Sequence, residues 1–102
     1  MNVRIKFMGV LADVTRTRQQ TLEFAAMPTL RALLTALEER YGNEFGVRIF
    51  RSASAPRLLQ MATRIFVNGN IVADPALDEP LSKDETSSPE ILVYFLPAAC
   101  GG

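Results

Sequence analysis

The stretch TLRALLTALEERYG, residues 29–42, carries the clearest structural pattern of this sequence. Thr29 is a residue type that caps helix N-termini, and Gly42 stands where a glycine often ends a helix. Between them, apolar residues recur at the spacing of a helix that buries one face: Leu30, Leu33, Leu34, Leu37 and Tyr41. The pattern predicts an amphipathic helix with one core face. Its charged residues are expected to face water, namely Arg31, Glu38, Glu39 and Arg40.

Two segments before this helix have the pattern of strands. In residues 2–8, apolar Val3, Ile5 and Phe7 alternate with charged residues, which predicts a strand with one buried face. Residues 21–24 predict a second strand, paired with the first as an antiparallel hairpin and burying Leu22 and Phe24. The intervening residues 9–20 are polar and irregular, so we expect a turn or short connection there.

The segments after the helix predict further strands. Residues 43–62 predict either a short helix or an irregular segment, followed by a connection. Asn68-Gly69 is a strong hairpin signal. The remaining elements are then expected in this order: a strand at 64–67, its return strand from 71–72, core contacts from Leu77 and Leu81, and a last strand at 91–96.

This order of elements predicts an α+β fold, the β-grasp roll. The first and last strands are both strongly apolar, so we expect them side by side and parallel at the centre of a mixed sheet. The sheet should contain about four to five strands, with the one main helix packed on one face. Residues 1–97 are expected to form this domain, and residues 98–102 a flexible C-terminal tail ending in Gly-Gly.

The face of the sheet opposite the helix is the first candidate binding site. Because side chains alternate across a strand, inward Val3, Ile5 and Phe7 place Met8 on the opposite face. The same parity, applied to the middle and last strands, predicts an apolar patch of Met8, Phe66, Tyr94 and Leu96. Such patches mark interaction surfaces. The alternative is a shift of one residue, which would move every side chain to the other face.

Composition excludes several function classes. The chain has 102 residues, with 11 basic and 11 acidic side chains, so it has no net positive charge to hold nucleic acid or an anionic membrane. It has no histidine and a single cysteine, Cys100, which argues against a metal site or an internal disulfide. The sequence also lacks a glycine-rich phosphate loop, a signal peptide pattern and an apolar run of membrane-spanning length. A cytoplasmic protein is expected.

The ending Cys100-Gly101-Gly102 is the second candidate site. Glycine has no Cβ, so two glycines leave the terminal carboxylate unhindered and the backbone narrow enough to enter a channel. After a final strand, this tail could be offered to the active site of another protein. The alternative is an ordinary frayed terminus.

Five segments together resemble a known family. They are VRIKFM at 3–8, the helix at 29–42, FVNG at 66–69, LDEPL at 77–81, and FLP at 95–97 followed by Gly101-Gly102. Their order and spacing resemble the ubiquitin-like sulfur carriers, which include the small subunit of molybdopterin synthase and the thiamine sulfur carrier. The helix end EERYG and the length are most similar to the molybdopterin synthase small subunit.

The resemblance implies a chemistry located at Gly102. An E1-like enzyme would adenylate the Gly102 carboxylate with ATP and magnesium, and sulfur from a persulfide would then give a thiocarboxylate. The large subunit of molybdopterin synthase would receive the tail, and a pterin precursor the sulfur. Gly101 would give access, and Pro97 would stiffen the root of the tail. The partner would be docked by Met8, Phe66, Tyr94 and Leu96. The resemblance implies no catalytic residue and no tightly bound cofactor in this chain.

Several alternatives remain open at this point. The chain has only Pro97 where many family tails have two prolines, and Cys100 stands where a small or hydroxylic residue is common. Cys100 either takes part in exchange at the activated carbonyl or is merely tolerated there. Gly102 could instead form an isopeptide, as in a protein modifier, or carry sulfur for thiamine, cysteine or tRNA thiolation. The last alternative is an interaction module with an inert tail.

Overall fold

The computed structural model describes residues 1–52, 54–83 and 89–95. Residues 94 and 95 are described without their side chains. Five strands are present: β1 (Asn2–Met8), β2 (Gln19–Glu23), β3 (Thr63–Val67), β4 (Asn70–Val72) and β5 (Glu90–Phe95). Three α-helices are present in the same residues: α1 (Val10–Thr15), α2 (Leu30–Tyr41) and α3 (Asn43–Ile49). A short 3₁₀ turn covers Asp74–Ala76. No helix within these ranges is long and apolar enough to cross a membrane.

The five strands form one mixed sheet in the order β2-β1-β5-β3-β4. β1 and β5 are parallel neighbours near the centre, with Ile5 opposite Ile91 and Phe7 opposite Val93. The other three neighbouring pairs are antiparallel. The predicted β-grasp arrangement, including the central parallel pair and the hairpin of β1 with β2, is therefore confirmed.

The core lies between the sheet and α2. The four leucines of the predicted stripe are almost completely buried, whereas Tyr41 is half-buried and packs edge-on to Phe7 at 5.8 Å between ring centroids. The leucines contact the inner face of the sheet and the two residues predicted to reach the core from the last connection, Leu77 and Leu81. The core therefore also contains Val3, Ile5, Phe7, Ile65, Ile91 and Val93. The predicted strand parity is confirmed at each of these strand positions.

Both predicted ends of α2 are confirmed. The Thr29 hydroxyl oxygen accepts a hydrogen bond from the backbone N–H of Ala32 at 3.1 Å, which satisfies one of the free donors of the first turn. Gly42 has a φ of 88°, and its N–H donates to the carbonyl of Glu38. A residue with a Cβ would be strained at that backbone angle, which explains the glycine.

The predicted connection at residues 9–20 is wrong, because α1 occupies part of it. Leu11 and Thr15 are buried, and the Thr15 hydroxyl donates to the carbonyl of Leu11 at 2.9 Å. The helix ends at Arg16, which has a φ of 59°. Six residues are too few to show helical periodicity, so burial of Leu11 against the core decides the conformation. In contrast, residues 43–49 form α3, the first of the two alternatives considered for that segment.

The prediction that Arg31 and Glu38 simply face water is also wrong. Arg57, in the connection after α3, donates to both carboxylate oxygens of Glu38 at 2.7 Å and stacks over the Phe50 ring at 4.2 Å. Arg31 bonds the Asp78 carboxylate at 2.7 Å and the carbonyl of Arg57 at 2.9 Å. These bonds attach the irregular segments that contain Arg57 and Asp78 to the outer side of α2.

We expect Leu34→Ala to lower the free energy of unfolding by about 2 to 5 kcal/mol, because it leaves a cavity in the core. Urea titration followed by circular dichroism measures this loss. Glu39→Ala, on the exposed side of the same helix, is the matched control and should change stability by less than about 0.5 kcal/mol. Equal losses in the two variants would contradict the assigned core face.

We expect Glu38→Gln to cost about 1 to 2 kcal/mol at neutral pH. The hydrogen bond from Arg57 holds the pKa of Glu38 below its ordinary value of 4.5, so the pair stabilises the fold above that pH. The stabilisation is lost as the pH falls through the lowered pKa of Glu38. The difference between wild type and Glu38→Gln should therefore shrink in acid, as measured by urea titration at several pH values.

Glu39→Gln is the control for that pH series, since it removes a neighbouring carboxylate that is exposed. It should follow the wild type at every pH. A Glu38→Gln difference that stays constant below pH 4.5 would contradict the role assigned to the Arg57 pair.

Candidate functional site

The face of the sheet opposite α2, here called the open face, contains the predicted patch residues that the structure describes. Met8 is 53% exposed, and Phe66 is half-buried on the same face. The register pairs Met8 with Tyr94 across β1 and β5, so the Tyr94 position also belongs to this face. The predicted parity therefore holds, without the shift of one residue. The side chain of Tyr94 and the whole of Leu96 lie outside the described residues.

The register adds two residues that the sequence prediction left out of the patch. Phe66 lies between Leu92 of β5 and Ile71 of β4, so the three side chains form a row across three strands. Ile71 is 60% exposed. A cavity of about 280 Å³ opens beside this row, lined by Phe66, Gly69, Glu90 and Leu92. We call Met8, Phe66, Ile71 and Leu92 the apolar patch.

Strand parity alone could not have found this row. It gives the face of each residue but not which strands are neighbours, and the patch depends on β5 lying between β1 and β3. The available signal was the Asn68-Gly69 turn, whose φ angles of 51° and 87° suit a two-residue hairpin. Such a turn places Ile71 directly opposite Phe66.

Basic residues border the apolar patch on the open face. Arg4 and Lys6 of β1 each approach the Glu90 carboxylate of β5 at 3.4 Å, and all three side chains are well exposed. Exposed pairs of this kind contribute little to stability. Arg64 of β3 bonds the carbonyl of Met61 and has no carboxylate partner in the part of the chain that the structure describes. The open face therefore combines apolar contact area with a positively charged border.

The direction of β5 relates the open face to the predicted tail. Because β1 and β5 are parallel, their C-terminal ends lie at the same edge of the sheet. The last described residue, Phe95, is opposite Thr63, and Tyr94 is opposite Met8. The described end of β5 thus lies beside Met8 and the border residue Arg64. The remaining predicted site residues, Leu96, Pro97, Cys100, Gly101 and Gly102, lie outside the described residues.

In the part of the chain that the structure describes, no group of three or more cysteine, aspartate or glutamate side chains is placed to hold a metal ion, and the full sequence has no histidine. Glu38 and Asp78, whose carboxyl pKa values are lowered, owe this to hydrogen bonds from Arg57 and Arg31. Both carboxylates bond to arginines on the α2 side, away from the open face.

No protein-family model matches the chain, and no curated protein matches it either. Solved structures do match. The small archaeal modifier protein SAMP1 from Haloferax volcanii has a TM-score of 0.71 at 21% identity, with 95% of this chain and 96% of that chain covered. Small archaeal modifier protein 1 from Methanosarcina acetivorans has a TM-score of 0.72 at 21% identity, covering 93% of this chain and 92% of its own.

A third match is a Pyrococcus furiosus protein provisionally described as molybdopterin converting factor, subunit 1. Its TM-score is 0.68 at 17% identity, with 95% of this chain and 99% of that chain covered. At such identities the agreement concerns the fold, and it extends over nearly the whole length of each chain. This protein therefore has the ubiquitin-like β-grasp fold that these small modifier and converting-factor structures share.

Proposed function

We propose that this chain is a member of the ubiquitin-like sulfur carriers, and that its Gly102 carboxylate is converted to a thiocarboxylate that donates sulfur. The observation that carries the proposal is the parallel pairing of β1 with β5. It places the last described residues of β5 beside the exposed Met8, and the sequence that follows ends in Gly101-Gly102. The β-grasp fold of the neighbours supports the same reading.

The proposed chemistry begins on a separate E1-like enzyme, which supplies ATP and magnesium. The Gly102 carboxylate attacks the α-phosphate of ATP and releases pyrophosphate. In the acyl adenylate that forms, the leaving group is AMP instead of oxide. A persulfide then attacks the acyl carbon, and AMP leaves. The resulting acyl disulfide is cleaved by a thiol reductant, which leaves the thiocarboxylate on Gly102. No side chain of this protein transfers a proton in these steps; its part is to present the tail.

Within this class, we propose the small subunit of molybdopterin synthase as the specific role. The match to the Pyrococcus furiosus converting-factor subunit supports it, together with the motif resemblance over the whole chain. The large synthase subunit would then bind the open face and receive the tail, and a pterin precursor would accept the sulfur. These reactions are proposed to take place in the cytoplasm.

A second candidate function is protein modification through Gly102. It is favoured by the two matched structures that are small archaeal modifier proteins. Activation by the E1-like enzyme would be the same. The acyl group would then pass to a lysine amine and form an isopeptide, so the two functions differ only in the acceptor.

We expect incubation with the cognate E1-like enzyme, ATP, magnesium and a persulfide donor to replace one terminal oxygen by sulfur. Intact-mass spectrometry measures the change, and fragmentation locates it at Gly102. The location matters because the chain has four methionines, and their oxidation adds nearly the same mass. Adding a cell lysate tests the second function, because target-linked species of higher mass would indicate an isopeptide.

Two variants serve as controls for that experiment. Deletion of Gly102 should abolish the reaction, and Cys100→Ala should retain it while removing the only thiol that could be modified instead. If the wild type gains no sulfur at Gly102 under conditions where the enzyme hydrolyses ATP, the sulfur-carrier proposal is wrong. If Cys100→Ala gains none while the wild type does, Cys100 takes part in the exchange.

We expect Met8→Asp to lower kcat/KM for activation by about tenfold, because it places a charge in the apolar patch beside the chain exit. The matched control is Val47→Asp, in α3, where Val47 is exposed to a similar extent at 49%. ATP–pyrophosphate exchange measures both variants. Equal rates for Met8→Asp and the wild type would show that the enzyme does not use this part of the open face.

A further inference from the structure

The outer edge of the sheet at β4 is open to a further strand. β4 is the last strand in the sheet order, and in the described residues it pairs only with β3. Its three residues, Asn70, Ile71 and Val72, are uncharged. Edge strands are kept from pairing with other chains by a lysine, a proline, a bulge or a very short length. β4 is short, at three residues, but it has no lysine, proline or bulge, and Pro75 follows only after the strand has ended.

The β3–β4 hairpin directs one residue's backbone to this edge. In a two-residue hairpin the flanking pair, here Val67 and Asn70, is hydrogen-bonded, so the next pair, Phe66 and Ile71, is not. The pairing of β3 with β5 is consistent with this. The Asn68 N–H donates to the carbonyl of Glu90 at 2.8 Å, and because hydrogen-bonded and non-hydrogen-bonded pairs alternate along an antiparallel ladder, the N–H and C=O of Phe66 point towards β5. The N–H and C=O of Ile71 therefore point away from the sheet.

A cleft adjoins this edge, and it is lined by β4, the start of β3 and the chain at residues 59–61. Its volume is about 280 Å³, which is enough to receive a side chain of a partner. Two exposed apolar side chains border it: Met61, 78% exposed, and Ile71, 60% exposed. We call this the edge cleft; its lining includes Arg51, Leu59, Met61, Arg64, Ile71 and Asp74.

The charges of the edge cleft favour an acidic partner. Arg51 is held by Asp74 at 3.1 Å and by the carbonyl of Leu59, so its charge is compensated. Asp74 also accepts the N–H of Leu59 at 2.8 Å, which fixes that wall of the cleft. Arg64 bonds only backbone carbonyls among the described residues and leaves one positive charge at the rim. A carboxylate from outside would complete the site.

We propose that the open edge of β4 and the edge cleft bind an extended segment of a partner protein that carries an apolar side chain next to an acidic one. The segment adds a strand to β4 through Ile71, places the apolar side chain against Met61, and pairs its carboxylate with Arg64. A second copy of this chain fits less well, since its own β4 segment, Asn70–Val72, carries no carboxylate to pair with Arg64. The inference does not depend on sulfur transfer at Gly102.

The test uses the full chain labelled with ¹⁵N and a short acetylated peptide of valines and isoleucines followed by aspartates. We expect the peptide to shift the Ile71 amide proton downfield, as a new hydrogen bond requires, together with the amides of Met61 and Arg64. Arg64→Glu should weaken binding by about tenfold, and Met61→Ser should weaken it while Val47→Ser does not. Val47→Ser is a suitable control because Val47 is exposed and its side chain is not part of the cleft lining.

Two altered peptides separate the parts of the proposal. A peptide with lysines in place of the aspartates should bind more weakly, and one with a central proline should not bind, because it cannot continue the ladder. The proposal is overturned if the Ile71 amide does not move, if the lysine peptide binds as tightly, or if the shifts fall on β2 at the opposite edge. Concentration-dependent shifts of β4 without peptide would indicate a second copy as the occupant, and would also overturn it.

Discussion

The parallel pairing of β1 with β5 is the constraint on which the rest of this structure depends. It joins residues that are far apart in the sequence, such as Ile5 and Ile91, and the inner faces of both strands are buried beneath α2. Parallel neighbours need a long crossover between them, and here that crossover contains all the other helices and strands that the structure describes. The same pairing fixes which face of the sheet stays open and at which edge the chain leaves it.

Much of this arrangement follows from local patterns in the sequence. Alternation in residues 2–8, the leucine stripe of α2 and the Asn68-Gly69 turn each have a period or residue type with one dominant structural solution. They predict the strands, the main helix and the parity of the open face. The β-grasp topology follows because few arrangements can bury two apolar terminal strands with a single long helix.

The features that the sequence did not reveal depend on contacts between distant residues. α1 is helical because Leu11 is buried in the core. The side chain of Glu38 is held in place because Arg57, from another segment, donates hydrogen bonds to it. Likewise, Ile71 and Leu92 join Phe66 only once the strand order is known. Neither periodicity nor composition carries this information. The balanced total charge also conceals that Arg4, Lys6 and Arg64 share one face.

The direction of β5 also determines how the protein responds to a mechanical load. A force that pulls the C-terminal end of β5 away from the N-terminus of β1 acts along both strands and loads their ladder in shear. The five residue pairs from Arg4–Glu90 to Met8–Tyr94 then resist together, while β3 holds β5 from the other side. A tail withdrawn from a narrow channel, or drawn into an unfolding machine, would transmit its tension directly to this central ladder. β5 is therefore held against such a force by paired strands on both of its sides.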